Sequence, residues 1–254
     1  MLNKLLRSIG IGSARVDTVL TSSDVVPGGF LKGEVRIAGG NATQEIEAIY
    51  IALMTDYEIE VDDNTVKRSF ELSKVRLCDS FNVQESQELV MPFNIPMPLC
   101  TPVSMGKSKV WVQTSLDIKS AVDPQDRDYV QVRPHALVEA FLHSAERLGF
   151  RLYQVDTEKV AARFTQSALP FVQEFEFKPI SGEFRGKLDE LEAVFSLTDQ
   201  SATVALQIDR RARGLGGMIF ESMGLDESHS RLSYGYSDLA ILDKYLAETI
   251  RRFC

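Results

Sequence analysis

A chain of 254 residues with 44% hydrophobic composition can bury two ordinary cores. Its formal charge of -8 argues against a nucleic-acid binder, because phosphate recognition draws on clustered Lys and Arg. Cys78, Cys100 and Cys254 are widely spaced and form no CxxC pair, so they read as reduced and structurally incidental.

The first stretch, Met1 to Gly12, places Leu2, Leu5, Leu6 and Ile9 at helical spacing around Lys4 and Arg7. It lacks the long apolar centre and cleavage site of a signal peptide. We expect it to dock on its own domain, with lipid contact as the less favoured alternative. No run reaches the roughly 18 apolar residues of a membrane span.

Strand patterning starts at Ala14 to Leu20. After the Val26-Pro27-Gly28-Gly29 turn, Leu31, Gly33, Val35 and Ile37 alternate with Lys32, Glu34 and Arg36, the period of a half-buried strand. Ile46 to Tyr57 is apolar on both parities and predicts a strand buried on both faces. Asp62-Asp63-Asn64 reads as a hairpin tip. From Val66 to Leu77 the apolar parity shifts between Leu72 and Val75, which suggests a bulge near Ser73-Lys74. Leu89, Met91, Phe93 and Ile95 alternate again, and Pro92, Pro96, Pro98 and Pro102 confine this run to an edge or extended loop.

Val110, Val112, Thr114 and Leu116 alternate with Lys109, Trp111, Gln113 and Ser115, predicting a strand with one buried face at the core edge of the first domain. Asp123 to Asp128 reads as an exposed charged turn, without the spacing of an EF-hand loop. A short strand, Tyr129 to Arg133, brings the count to about seven strands, and an antiparallel β-sandwich is the natural class.

Pro134 then opens a helix that Gly149 closes, with Leu137, Ala140, Phe141, Ser144 and Leu148 along one side. Leu137, Phe141 and Leu148 are the candidate interdomain residues. Beyond them the pattern is β again: Phe150 to Val155, then Phe171, Phe175 and Phe177 on one face, Leu191, Ala193 and Phe195 on another, and Val204, Leu206 and Ile208 on a third. His229 to Tyr236 is the last predicted strand. Ser237 can cap a C-terminal helix whose Leu239, Leu242, Leu246, Ile250 and Phe253 make one apolar stripe along a rod on the order of 24 Å. That stripe must cover either the second domain or another chain.

The expected segments are therefore residues 1–133, a connecting helix at 134–149, a second β-sandwich at 150–236 and an amphipathic helix at 237–254. The expected class is mainly β, with two antiparallel sandwiches, a connecting helix and a C-terminal helix.

Little in the chain points to catalysis. His135 and His143 lie eight residues apart in the connecting helix with His229 far away, a spacing that suggests no metal site, and no GxSxG, HExxH or Walker A motif occurs. Gly10-Ile11-Gly12 and Gly214-Leu215-Gly216 lack the third glycine and the βαβ setting of a dinucleotide site. Arg210, Arg211 and Arg213 form the dense basic cluster of the second half, suited to an acidic partner segment or a lipid phosphate. Together with Leu239, Leu242, Leu246, Ile250 and Phe253 they are the candidate partner-binding residues. We expect no catalytic, cofactor-binding or metal-binding residues.

The segments IGSARVDTVL, KVWVQTSLDIKSAVDPQDRDYVQVRPH, and DRRARGLGG with GLDESH resemble the bacterial sporulation-control protein M family over about Ile11 to Tyr236. The resemblance implies two arrestin-like β-sandwich domains and a non-enzymatic, cytoplasmic regulator of early sporulation. It implies protein partners, cell-division or cytoskeletal components among them, and carries over no catalytic residue. A homodimer through the C-terminal stripe is a further expectation.

Overall fold

The computed structural model describes residues 14–62, 64–118, 123–159, 169–209 and 229–254. They form two compact units. The first holds the described residues up to Thr55 with Ser69–Thr101 and Lys109–Arg133, and the second holds Asp56–Arg68, Pro102–Ser108 and everything described from Pro134 on.

In the first unit, β1 (Arg15–Leu20), β3 (Phe30–Ala38) and β7 (Glu88–Pro96) make an antiparallel sheet in the order β1-β3-β7. The proline-bearing β7 lies at an edge, where a missing N–H breaks no ladder. The second layer runs β4 (Gln44–Val61), β8 (Val110–Ile118), β9 (Gln125–Val132) and β2 (Asp24–Val25), while β5 (Asn64–Cys78) and β6 (Phe81–Val83) pair with β4. Val35, Ile37, Ile49, Ile51 and Leu116 are buried in this unit. Thr18 Oγ1 on β1 donates to Thr114 Oγ1 on β8 at 2.7 Å, a buried polar contact between strands of the two layers.

Two expectations change here. β8 is paired with β4 on one side and β9 on the other, so it is an interior strand. Trp111, on the parity expected to face solvent, is 3% exposed, with Tyr129 at 6.1 Å and the Arg127 guanidinium 4.7 Å over its ring. The predicted charged turn is in fact the first half of β9. Asp126 Oδ2 accepts from Thr18 N–H at 2.7 Å, and only Asp123 keeps the turn role, accepting from Ile118 N–H at 3.0 Å.

The second unit contains β10 (Phe150–Lys159), β11 (Phe171–Pro179), β12 (Glu190–Leu197), β13 (Ser201–Asp209) and β14 (His229–Gly235), paired antiparallel in that order. Alternation sets their faces. Phe175, Phe177, Leu191, Ala193, Val204, Leu206 and Ile208 are buried on one side. Among the described residues, that side is covered by α1 (Ala136–Arg147) and α2 (Leu242–Arg251), so the layer opposite the sheet is helical.

His135 is the N-cap of α1, its Nδ1 accepting from Leu137 N–H at 3.3 Å. Gly149 ends the helix region at φ +91°, a conformation that suits glycine. The rod expected after Ser237 is divided: Tyr236–Ile241 is a 3-10 helix, in which Asp238 Oδ2 accepts from Gly235 N–H at 2.8 Å, and α2 begins only at Leu242.

The compact units also differ from the expected segments. The tip of β4 and the start of β5 group with the second unit, and α1 is a component of that unit's core instead of a separate connector. Phe141 meets Phe195 edge-on at 5.1 Å and Phe177 at 6.1 Å, and Leu137 is fully buried. An apolar helix face beside an aromatic-lined sheet is covered most completely by that sheet. Leu148, half-buried, is the C-cap.

Candidate interaction surfaces

The apolar stripe at the C terminus is consumed internally. Leu242, Leu246 and Ile250 are each 0% exposed, while Leu239 and Phe253 are half-buried. Two bidentate ion pairs clamp α2. Arg147 Nε and Nη2 donate to Asp243 Oδ2 and Oδ1, both at 2.6 Å, and Arg251 Nη2 and Nε donate to Glu183 at 2.6 and 3.1 Å. Those three fully buried residues of the candidate partner-binding stripe are therefore spent on packing within the second unit. Arg210, Arg211 and Arg213 lie outside the described residues, as does the segment 1–13.

The side of the second-unit sheet opposite its aromatic face is acidic, with Asp156 buried and its glutamates half-buried. Strand register sets Asp156 on β10 opposite Glu174 on β11, Glu176 on β11 opposite Glu192 on β12, and Glu190 on β12 opposite Asp209 on β13. At its other border Glu158 pairs with Glu58, near the end of β4. Like charges directly across a ladder repel. Burial, reinforced by Glu192 and Glu158, pushes the Glu174 carboxyl up to about 9, and burial with Glu190 and Glu176 pushes Glu192 up to about 7. Glu158 and Glu190 are also raised, chiefly by burial.

Lysines partly offset this charge. Lys107 Nζ lies 3.6 Å from Glu58 and 3.7 Å from Asp156, Lys67 reaches Asp56 at 3.9 Å, and Lys178 pairs with Glu176 at 3.3 Å while capping the Tyr153 ring at 3.4 Å. Asp156 Oδ2 accepts from Gln154 Nε2. The alternation of Glu with Phe and Leu in FVQEFEFK and DELEAVF was the signal in the sequence. Which glutamates face one another depends on strand order and register, which that alternation does not state.

A second surface is β5. It is paired only with β4 in the described sheets, and none of its fifteen residues is buried. Half-buried side chains fall at Phe70 and Leu72, then at Ser73, Val75 and Leu77, so the parity shift expected near Ser73-Lys74 is present in the burial pattern. Lys74 Nζ sits 4.5 Å over the Tyr50 ring. Arg76 Nη2 donates at 3.0 Å to the carbonyl of Glu47, the residue skipped where the β4 to β8 register shifts.

Among the described residues, no group of three or more His, Cys, Asp or Glu side chains is placed to hold a metal ion, and no helix is long and apolar enough to cross a membrane. The residues instead make a mainly β, two-unit protein with a half-buried acidic sheet face and a basic-bearing strand, β5, none of whose residues is buried. The chain belongs to the Spo0M family: the model of the SpoOM protein family matches residues 2–212. It is 40% identical over 236 residues to the sporulation-control protein spo0M of Bacillus subtilis strain 168, covering 93% of this chain and 91% of that one. The crystal structure of Spo0M from Bacillus subtilis matches with a TM-score of 0.89 at 38% identity, covering 96% of this chain and all of that one.

Proposed function

We propose that this chain is a non-enzymatic, cytoplasmic regulatory adaptor in sporulation control, acting through protein-protein contacts. Its relatives' name supplies the process, and kinship at 40% identity over nearly the full length supports a shared role. The observation that carries the mechanism is β5, a fifteen-residue strand that pairs with β4 and has no buried residue. Side chains left unburied along a strand offer contacts to a partner segment.

The test is capture from native lysate, with the purified full chain as bait and mass spectrometry as readout. Recovery of a discrete protein set, lost when the bait is heat-denatured, is the expected result. No protein above background would overturn the adaptor reading, and turnover of a substrate by the pure chain, abolished by one point change, would replace it with an enzyme.

A further inference from the structure

We propose that His135 is an acid-sensitive latch on the first turn of α1, closing the helix while its ring is neutral and releasing Leu137 when the ring takes a second proton. The inference stands apart from the adaptor reading and concerns the second unit alone.

The hydrogen bonds assign the tautomer. Nδ1 of His135 accepts from Leu137 N–H at 3.3 Å, so that nitrogen carries no hydrogen and the neutral ring bears its proton on Nε2. Nε2 in turn lies 3.5 Å from the Tyr236 hydroxyl at the start of the 3-10 helix, with the two ring centres 6.4 Å apart. Leu137 is held a second time, its carbonyl accepting from the Tyr234 hydroxyl at 2.8 Å. The end of β14 and the residue after it therefore grip the first turn of α1 through two tyrosines.

Acid breaks one bond of this grip. A proton added at Nδ1 turns the acceptor into a donor, so that two N–H groups face each other where the cap bond stood. It also sets a positive charge on the positive end of the helix dipole. Nε2–H donates to Tyr236 in either form, and the Tyr234 bond involves no proton exchange near neutrality, so what is lost is the cap. The response is local, because Leu137 and Phe141 remain fully buried against the sheet.

The surroundings leave the ring poised for this. Burial holds it below the usual histidine range, against the pull of Asp199 in the turn between β12 and β13. Glu139 stands in the first turn of α1, Asp238 is committed to Gly235 N–H, and Arg133, two residues before His135, is paired with Asp24 at 2.9 Å. An unfolded histidine takes its proton near 6.5 and this one only at lower pH. The stability that the cap adds is thus complete above about 6.5 and is lost as pH falls through the folded value.

The test is a long-range proton–nitrogen NMR titration of the full chain from pH 7.5 to pH 5, with the His135 signals assigned by their absence in His135→Asn. We expect the Nε2–H tautomer at pH 7.5 and a midpoint below 6.5. Hydrogen exchange gives the structural readout. Corrected for intrinsic rate, protection in the first turn of α1 should be about fivefold weaker at pH 5 than at pH 7.5, the usual worth of an N-cap. His135→Asn keeps a capping oxygen that does not titrate in this range, so its first turn should show no such change; the sheet carboxylates titrate in both chains and cancel in the comparison. If that variant does not fold, His135→Ser takes its place. A midpoint at or above 6.5, an Nδ1–H tautomer, or an equal pH response of the first turn in wild type and variant would each overturn the proposal.

Discussion

Asp156 and Glu174 face each other directly across β10 and β11, two carboxylates in one cross-strand pair, on the sheet side opposite the aromatic core. The neighbouring groups are mostly of the same sign: Glu158 from β10, Glu176 from β11, and Glu190 and Glu192 from β12, with Lys107 and Lys178 the nearby cations.

Stability should accordingly fall as pH rises. The Glu174 and Glu192 carboxyls are raised to about 9 and about 7, so the folded chain holds protons that the unfolded chain releases near 4.5. The stabilising protonation is full below the unfolded value and is lost through about pH 7 and then about pH 9. Urea denaturation across pH 5 to 9 should show a declining midpoint. Glu174→Gln should flatten the upper part of that decline and add about 1–3 kcal/mol at pH 8, the usual relief of a buried unpaired charge. A midpoint that rises with pH would contradict the geometry.

Tyr234 ties the last strand to the helix. Its hydroxyl donates at 2.8 Å to the Leu137 carbonyl, and burial raises the phenol above its ordinary range. Tyr234→Phe leaves the ring packing in place and should cost about 0.5–1.5 kcal/mol in chemical denaturation. The loss should not depend on pH between 6 and 9.

Phe141 is the larger anchor, fully buried between Phe177 and Phe195. Phe141→Ala should cost about 3–5 kcal/mol. Limited proteolysis of Phe141→Asp should open the second unit's own strands first. Digestion identical to wild type would show that α1 does not support that core.

Truncation before Ser237 exposes the surface that Leu242, Leu246 and Ile250 cover. The shortened chain should melt at a lower temperature and bind a hydrophobic dye. A folded, equally stable product with smaller mass by light scattering would restore the stripe as a dimer interface.

The Arg147 to Asp243 pair links the last turn of α1 with the first turn of α2, each charge favourable to its helix dipole. Both side chains are about half exposed, which limits the effect. Arg147→Ala should cost no more than about 1 kcal/mol, less in high salt.

Much of the fold was legible along the chain because strand alternation is local. β3, β7 and three strands of the second unit follow from period two, β4 from an apolar run on both parities, and α1 from its helical stripe and bounding glycine. Errors came where tertiary pairing overrode pattern. Trp111 is on the polar parity of β8 yet buried, because β9 lays Tyr129 and Arg127 across it.

By itself the sequence determined the mainly β class, the first helix and the family, since these depend on neighbours a few residues apart and on matched segments. The tertiary structure decided the rest. It closed the C-terminal stripe over its own unit, set glutamates from β10, β11 and β12 against one another, and paired β5 with β4. Each of these depends on which strands lie side by side and in what register, and local periodicity carries no information about either.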